Sequence, residues 1–301
     1  MLYKNLALLA FLLLGTTCIH AQSYEMLKQD IQAILTSPQA TVGVSIMSDN
    51  GRDTLSINGD LPFPMQSVFK FPIALTVLSL VEQGKFSLDQ MITIEKHQLL
   101  PGLYSPLRDK YPQGASLKLS EILEYTVSLS DNVGCDALLR LVGGPQVVEK
   151  YITEKGFKDF SVKINEEVMQ NNWDLQFKNW TTPNTSTQLL AFFYNNDKQI
   201  LSAEHHDFIW TIMKQTETGP NRLKGHLPKG TVVAHKTGWS GRNKEGISAA
   251  VNDVGVIFLP NGRYYFISVF ITDSKEDTAN NEKIIADISK VVYDFYYKKM
   301  K

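Results

Sequence analysis

Strand-like alternation stands at both ends of the chain and helical spacing fills the middle, a division that admits few architectures. Thr41 to Met47 alternates, with Val42, Val44 and Ile46 on one side; Asp49-Asn50-Gly51 reads as a turn, and Asp53 to Ile57 returns as the second arm of a hairpin. At the far end Val232 to Lys236, Ile247 to Leu259 and Arg263 to Ile271 read as strands, with Pro260-Asn261-Gly262 turning the last pair. Between them, Val68 to Val81 is a long apolar run stopped by Gly84, the pattern of a buried helix. Its Pro72 falls in the first turn, where backbone N–H groups have no intrahelical partner to lose. Leu119 to about Met213 is mostly helical, broken by the Asn-rich stretch Asn165 to Trp180, which reads as a packed surface loop. Tyr24 to Leu35 and Glu282 to Tyr297 supply helices at the two extremes. If both chain ends pair in one sheet, the fold class is α/β plus all-α. An antiparallel sheet flanked by helices then comes from residues 22–62 and 213–301, with an all-helical insertion over residues 63–212. A cleft between the halves is the natural place for a site.

The 301 residues, 43% hydrophobic and 20% charged, suit one large domain or two that share a core. Thirty basic and 31 acidic residues are spread without a basic block, so the electrostatic footprint of nucleic-acid binding is missing. Residues 1–21 read as a signal peptide: Lys4 gives the positive start, Leu6 to Leu14 the short apolar run, and Ala21 the last residue before cleavage. That run falls short of the roughly 20 apolar residues a membrane span needs, and no later segment reaches it. The expectation is an exported, periplasmic protein, soluble and membrane-free once processed, acting as a monomer. Of two cysteines, Cys18 would leave with the signal; Cys135, in the apolar stretch Val133 to Val142, reads as a buried small hydrophobe, so no internal disulfide is expected.

Four short signatures follow one another: Ser67-Val68-Phe69-Lys70, Ser130-Asp131-Asn132, Asn165-Glu166 and Lys236-Thr237-Gly238. A Ser-x-x-Lys match is expected about once by chance in a chain this long, whereas each of the two triplets is expected on the order of a few hundredths of a time. Their conjunction in this order carries the weight. A serine hydroxyl is a weak nucleophile until a base takes its proton. Lys70 stands one helical turn from Ser67 on the same face, and a helix starting at Ser67 would aim free N–H groups at a reacting carbonyl. A lysine that acts as base must be neutral, which burial near a second cation such as Lys236 favours. Ser130 can relay a proton to a departing nitrogen, and Asn132 can offer its amide to a carbonyl. Lys236 and Thr237, at the end of an apolar strand, can hold a carboxylate, while Gly238 permits close backbone approach. Glu166 can activate a water against an acyl-enzyme on Ser67, work in which a general base contributes roughly 10²–10⁴ in rate. Glu167 is its neighbour, and local chemistry does not choose between them. The adjacent His205 and His206 cannot share a helix face and have no third ligand at useful spacing, so neither a metal nor another cofactor is expected.

Together these signatures resemble those of class A serine β-lactamases, over nearly the whole chain after residue 21. Gly143-Gly144-Pro145, Trp180-Thr181-Thr182-Pro183 and His235 before Lys236 belong to the same likeness. Asn165-Glu166-x-x-Met169 with Asn179-Trp180 is similar to the branch associated with extended cephalosporin hydrolysis. The resemblance implies the fold shared by serine β-lactamases and penicillin-binding transpeptidases, and hydrolysis of the β-lactam amide of penicillins and cephalosporins, hence antibiotic resistance. It implies Ser67 as nucleophile, Lys70 as base or proton shuttle, Ser130 as relay, Glu166 as deacylating base acting on a water, and the backbone N–H groups of Ser67 and Trp239 as an oxyanion hole. Whether Lys70 or Glu166 activates Ser67 is left open. Tyr104 resembles the aromatic at the pocket mouth, and Arg222 a second cation for the substrate carboxylate. Three departures stand out. Gln170 replaces the family's asparagine; Ile164 and Asn179 replace an Arg–Asp pair, so other contacts must hold the loop; and Trp239 replaces a small residue, so its indole would reshape the pocket. The rival readings are a D-Ala-D-Ala carboxypeptidase or transpeptidase, and a β-lactam sensor that acylates once; neither needs a deacylating acid.

Overall fold

The computed structural model describes residues 23–36 and 38–299; the expected signal segment, with Cys18 and the cleavage point near Ala21, lies outside them. Helix α1 covers 23–34 and is followed by β1 (Thr41–Ser48), β2 (Thr54–Ile57) and the short β3 (Phe63–Pro64). A 3₁₀ turn, Gln66–Phe69, leads directly into α2 (Lys70–Glu82). Next come β4 (Met91–Glu95), α3 (Pro106–Lys110), β5 (Gly114–Lys118), α4 (Leu119–Ser128), α5 (Asn132–Val142), α6 (Pro145–Glu154) and β6 (Phe160–Ser161). Then follow α7 (Glu166–Asn171), β7 (Trp180–Thr181), α8 (Pro183–Asn195) and α9 (Ala203–Lys214). The chain closes with β8 (Val233–Trp239), β9 (Val251–Phe258), β10 (Tyr264–Thr272) and α10 (Thr278–Lys298).

The two chain ends do build one sheet. Its order is β2-β1-β10-β9-β8, antiparallel throughout, with Thr41 opposite Thr272 where first and last strands meet. Side chains alternate across a strand, so β10 feeds two cores at once. Tyr265, Ile267, Val269 and Ile271 pack with Leu27 and Ile31 of α1 and Ile284, Ile285 and Ile288 of α10. Phe266 and Phe270 face the other way, into a core shared with α2, α4, α5, α8 and α9. A strand buried on both faces is a nearly continuous apolar run, as Tyr264 to Ile271 is but for Ser268.

Helix α2 is buried from Lys70 through Ser79, so it lies inside the helical half rather than on it. Pro72 sits in its first turn as expected, and Gly84, at φ +69°, takes the left-handed conformation that ends the helix. Cys135 is a free thiol, fully buried in the same core, and burial pushes its pKa up.

Several local expectations need correction. The stretch from Asn165 to Trp180 is not irregular: it contains α7 and a 3₁₀ turn at Trp173–Lys178. Asn165 caps α7 by accepting from Val168 N–H at 3.1 Å, so the asparagines that suggested loop are helix caps. Strand β8 does not end at Lys236 but runs on through Trp239, because Thr237, Gly238 and Trp239 pair with Asp253, Asn252 and Val251. Strand β9 starts at Val251 rather than Ile247, and α10 begins at Thr278, where Asp277 caps it, not at Glu282. The pair β4–β5 and the trio β3-β7-β6 were not foreseen; strands this short carry too little periodicity to read.

Candidate active site

Strand β8 is the edge of the sheet, and the 3₁₀ turn bearing Ser67 packs against it. That approach depends on Gly238: a Cβ there would fall 2.4 Å from the Met65 carbonyl oxygen. Asn252, on the neighbouring strand, reinforces the contact by donating from Nδ2 to the carbonyls of Pro64 (2.8 Å) and Met65 (3.1 Å). Gln66, just before the nucleophile candidate, has φ +47°, and Ser130 has φ +59°; both are non-glycine residues in the left-handed region, where backbone strain is stored.

Lys70 is fully buried at the start of α2, and its ammonium joins three segments. Nζ donates to Ser67 Oγ at 2.9 Å, to the Ser130 carbonyl at 2.8 Å and to Asn132 Oδ1. The same Nζ lies 2.8 Å from Glu166 Oε1 as a buried ion pair. That oxygen is buried and has no well-angled hydrogen bond among the described residues, so the ion pair with Lys70 is what holds it. Ser67 Oγ and Glu166 therefore share one ammonium. Two hydrogen bonds of ordinary length span about 5.6 Å, so one water can bridge them. With Asn132 Oδ1 held by Lys70, the Nδ2 hydrogens are left for a ligand.

Lys236, likewise fully buried, donates to Ser130 Oγ at 2.9 Å and to the Thr237 carbonyl at 3.2 Å. Burial, and then the Lys70 ammonium, push its pKa well below the usual lysine range. Ser130 is held in place from behind. The carboxylate of Asp131 caps α5 through Gly134 N–H (2.7 Å) and takes Ser105 Oγ (2.8 Å) and Leu107 N–H (2.7 Å) from the segment that carries Tyr104. On β8 the carbonyls of His235 and Thr237 are bonded by Thr216 and Lys236, off the sheet. Backbone direction alternates along a strand, so Trp239 N–H turns to the same open side of the sheet edge, and Trp239 and Ser67 line one hollow.

The remaining sequence-derived residues also border this cleft. A hollow of about 380 Å³ is lined by Ser67, Tyr104, Ser130, Arg222, Thr237 and Trp239, among others. A second, of about 250 Å³, takes Asn132, Glu166, Gln170, Gln176 and Ser240; Gln66, Asn132 and Glu166 border both. Gln170 stands one helical turn after Glu166 on α7, exposed to the hollow. Arg222 is no surface arginine: it is buried, its Nε facing Glu282 at 3.2 Å and its Nη1 donating to the carbonyls of Gly238 (3.0 Å) and Asn252 (3.1 Å). Glu167 is exposed, whereas Glu166 is buried against Lys70, so geometry separates the two acids that sequence could not. His205 faces Glu82 and Ser202, and His206 faces the Tyr194 carbonyl, so the two rings diverge.

Two loop supports escaped sequence reasoning. Asn179 is fully buried: its Oδ1 accepts from Lys163 N–H (2.8 Å) and Ile164 N–H (3.1 Å), and its Nδ2 donates to the Ile164 carbonyl (2.9 Å). This clamp stands where the Arg–Asp pair is missing. Asp136 accepts from the N–H groups of Glu166 (2.8 Å) and Glu167 (3.0 Å), fixing the first turn of α7. Burial outweighs these donors and pushes its carboxyl from 3.8 up to about 6. Asp136 lies four residues after Asn132 on α5, and that helical spacing was the available signal.

The chain is similar to known proteins over most of its length. A profile of the beta-lactamase enzyme family matches residues 26–296. The chain is 50% identical over 293 residues to beta-lactamase VEB-1 of Pseudomonas aeruginosa, covering 97% of this chain and 98% of that protein. The crystal structure of TLA-1 extended-spectrum beta-lactamase superposes with a TM-score of 0.88 at 47% identity, covering 91% of this chain and 99% of that one. A class A beta-lactamase representative from Bacteroides cellulosilyticus gives 0.88 at 40% identity, with 92% and 99% covered.

Proposed function

The chain belongs to the beta-lactamase enzyme family, class A, and from that membership we propose the route by which it hydrolyses the amide of penicillins and cephalosporins and so confers resistance. The observation that carries the route is the single buried ammonium of Lys70, set between Ser67 Oγ and the Glu166 carboxylate. The substrate carboxylate docks against Lys236, Thr237 and Arg222, and the acyl amide carbonyl takes the Asn132 Nδ2 hydrogens. Ser67 Oγ attacks the lactam carbonyl, whose oxygen becomes an anion facing the N–H groups of Ser67 and Trp239; loss of such a donor typically costs about 2.7–4 kcal/mol of barrier. The hydroxyl proton has two acceptors within reach: Glu166 through a water, or the Lys70 nitrogen once it has passed a proton to the Glu166 carboxylate 2.8 Å away. As the C–N bond breaks, Ser130 Oγ gives its proton to the ring nitrogen and regains one from the buried lysine pair, Lys236 on its hydroxyl and Lys70 on its carbonyl. Glu166 then takes a proton from a water that attacks the ester carbonyl, and Ser67 leaves with a proton returned from the same network. Gln170, from the same helix as Glu166, supplies an amide to hold that water.

A transpeptidase-like protein would stop at the acyl-enzyme, and one experiment separates the readings. Purified protein is mixed with benzylpenicillin and followed by intact mass. The expected result is a transient or undetectable adduct with complete conversion of the drug to its ring-opened acid, and no turnover for Ser67→Ala. A lasting adduct on the unaltered protein would favour the transpeptidase or sensor reading. Export to the periplasm, cleavage near Ala21 and action as a membrane-free monomer belong to the same proposal.

A further inference from the structure

Strand β8 is buried at every position from Val233 to Gly238 and then presents Trp239 with 53% of its surface exposed. Across the cleft Tyr104 is 57% exposed. Large aromatics left open inside a functional cleft are apolar surface that a ligand can cover, and flat rings are what they cover best. Position on the strand decides which part of a substrate they meet. Trp239 shares the face of Thr237, two residues back, and lines the larger hollow with Thr218, Thr237 and Arg222, the end where the substrate carboxylate docks. The smaller hollow, beside α7, takes Ser240 from this stretch instead and is lined by the amides Gln66, Asn132, Gln170 and Gln176 together with Glu166, Met169 and Trp173. The cleft thus has an amide-rich compartment beside α7 for the acyl side chain, and a second one bordered by Tyr104 and Trp239.

We propose that Trp239, with Tyr104 opposite, is a specificity determinant for the group attached beside the substrate carboxylate, favouring cephalosporins that carry a flat aromatic substituent on the ring carbon next to the carboxylate-bearing one. The six-membered cephalosporin ring is unsaturated there and holds such a substituent close to its own plane. The five-membered penicillin ring offers only tetrahedral methyl groups at the corresponding place. A neutral ring suits the compartment better than a cationic one, because the Arg222 guanidinium lines it and no carboxylate but Glu166 does. The proposal rests on the hydrolase reading above and adds the substrate class to it.

The test uses two cephalosporins with the same acyl side chain, one bearing methyl and the other phenyl at that carbon. The ratio of their kcat/KM values is measured for the unaltered enzyme, Trp239→Thr and Trp239→Phe, so that intrinsic reactivity cancels between enzymes. An aromatic contact of ordinary strength corresponds to about a 2- to 12-fold effect on that ratio. The phenyl-over-methyl preference should fall by that factor in Trp239→Thr and remain within about two-fold of the original in Trp239→Phe. An unchanged ratio in Trp239→Thr, with both substrates hydrolysed, overturns this proposal alone. Failure of the unaltered enzyme to hydrolyse either compound overturns the hydrolase reading, and this one with it.

Discussion

Lys236 is fully buried, and burial first, then the Lys70 ammonium, push its pKa well below the ordinary lysine value. A depressed lysine pKa means that the positive charge is lost at lower pH than for an exposed lysine. Recognition of the substrate carboxylate, assigned here to Lys236, should therefore fade on the alkaline side earlier than an ordinary lysine would allow. A guanidinium keeps its charge throughout, so Lys236→Arg should move the alkaline limb of kcat/KM to higher pH while lowering its plateau, since the fork does not fit the contact with Ser130. A pH–rate profile of both enzymes with benzylpenicillin checks this; an alkaline limb unmoved by the substitution would place the titrating group elsewhere. At this scale most of the site was legible in the sequence. Ser67, Lys70, Ser130 and Lys236 stand in short fixed spacings because their roles need particular side-chain chemistry. Asn252 and Asp136 were not read, because each acts on backbone groups supplied by a distant part of the chain. An asparagine in a strand has no local pattern that announces such a partner, and the spacing of Asp136 from Asn132 puts it on the site's helix face without naming what it holds.

Helix α7 positions Glu166, and its first turn hangs on the Asp136 carboxylate. Because burial raises that carboxyl to about 6 in the folded protein, against 3.8 for a free group, the native state binds this proton more tightly than the unfolded chain does. Its contribution to stability is therefore full below about pH 4 and is lost as pH rises through about 6. Urea denaturation of the unaltered protein and Asp136→Asn, compared from pH 4 to pH 7, should show the difference between them shift against the unaltered protein by up to about 3 kcal/mol. A difference independent of pH would mean that Asp136 does not titrate in this range. The loop that contains α7 was the element least legible beforehand. Its asparagines suggested irregular chain, yet Asn165 and Asn172 cap short helical turns and Asn179 clamps the loop from inside. A cap and a loop share the same residues, so composition alone could not tell them apart. Strand β8 was read three residues short at its end, because only pairing with Asp253, Asn252 and Val251 makes Thr237, Gly238 and Trp239 strand.

Over the whole molecule, the order of elements was readable because the periodicity of long segments survives any detail of packing. Strands at both ends and helices between left one economical solution, a sheet closed by β10 lying between β1 and β9. The short strand pairs β4–β5 and β3-β7-β6 were beyond reach, since contacts rather than pattern create them. What the fold achieves for the site is convergence. Ser67 lies in the 3₁₀ turn before α2, Lys70 starts α2, Ser130 precedes α5, Glu166 starts α7 and Lys236 lies on the sheet edge, and the two buried ammonium groups join them. The most direct measurement of that convergence is single-turnover and steady-state kinetics of Glu166→Gln with benzylpenicillin, followed by intact mass. The adduct should form on Ser67 and persist, with steady-state hydrolysis reduced on the order of 10²–10⁴-fold. Rapid steady-state turnover by that variant, with no adduct accumulating, would contradict the role of Glu166 and the shared-ammonium geometry built on it.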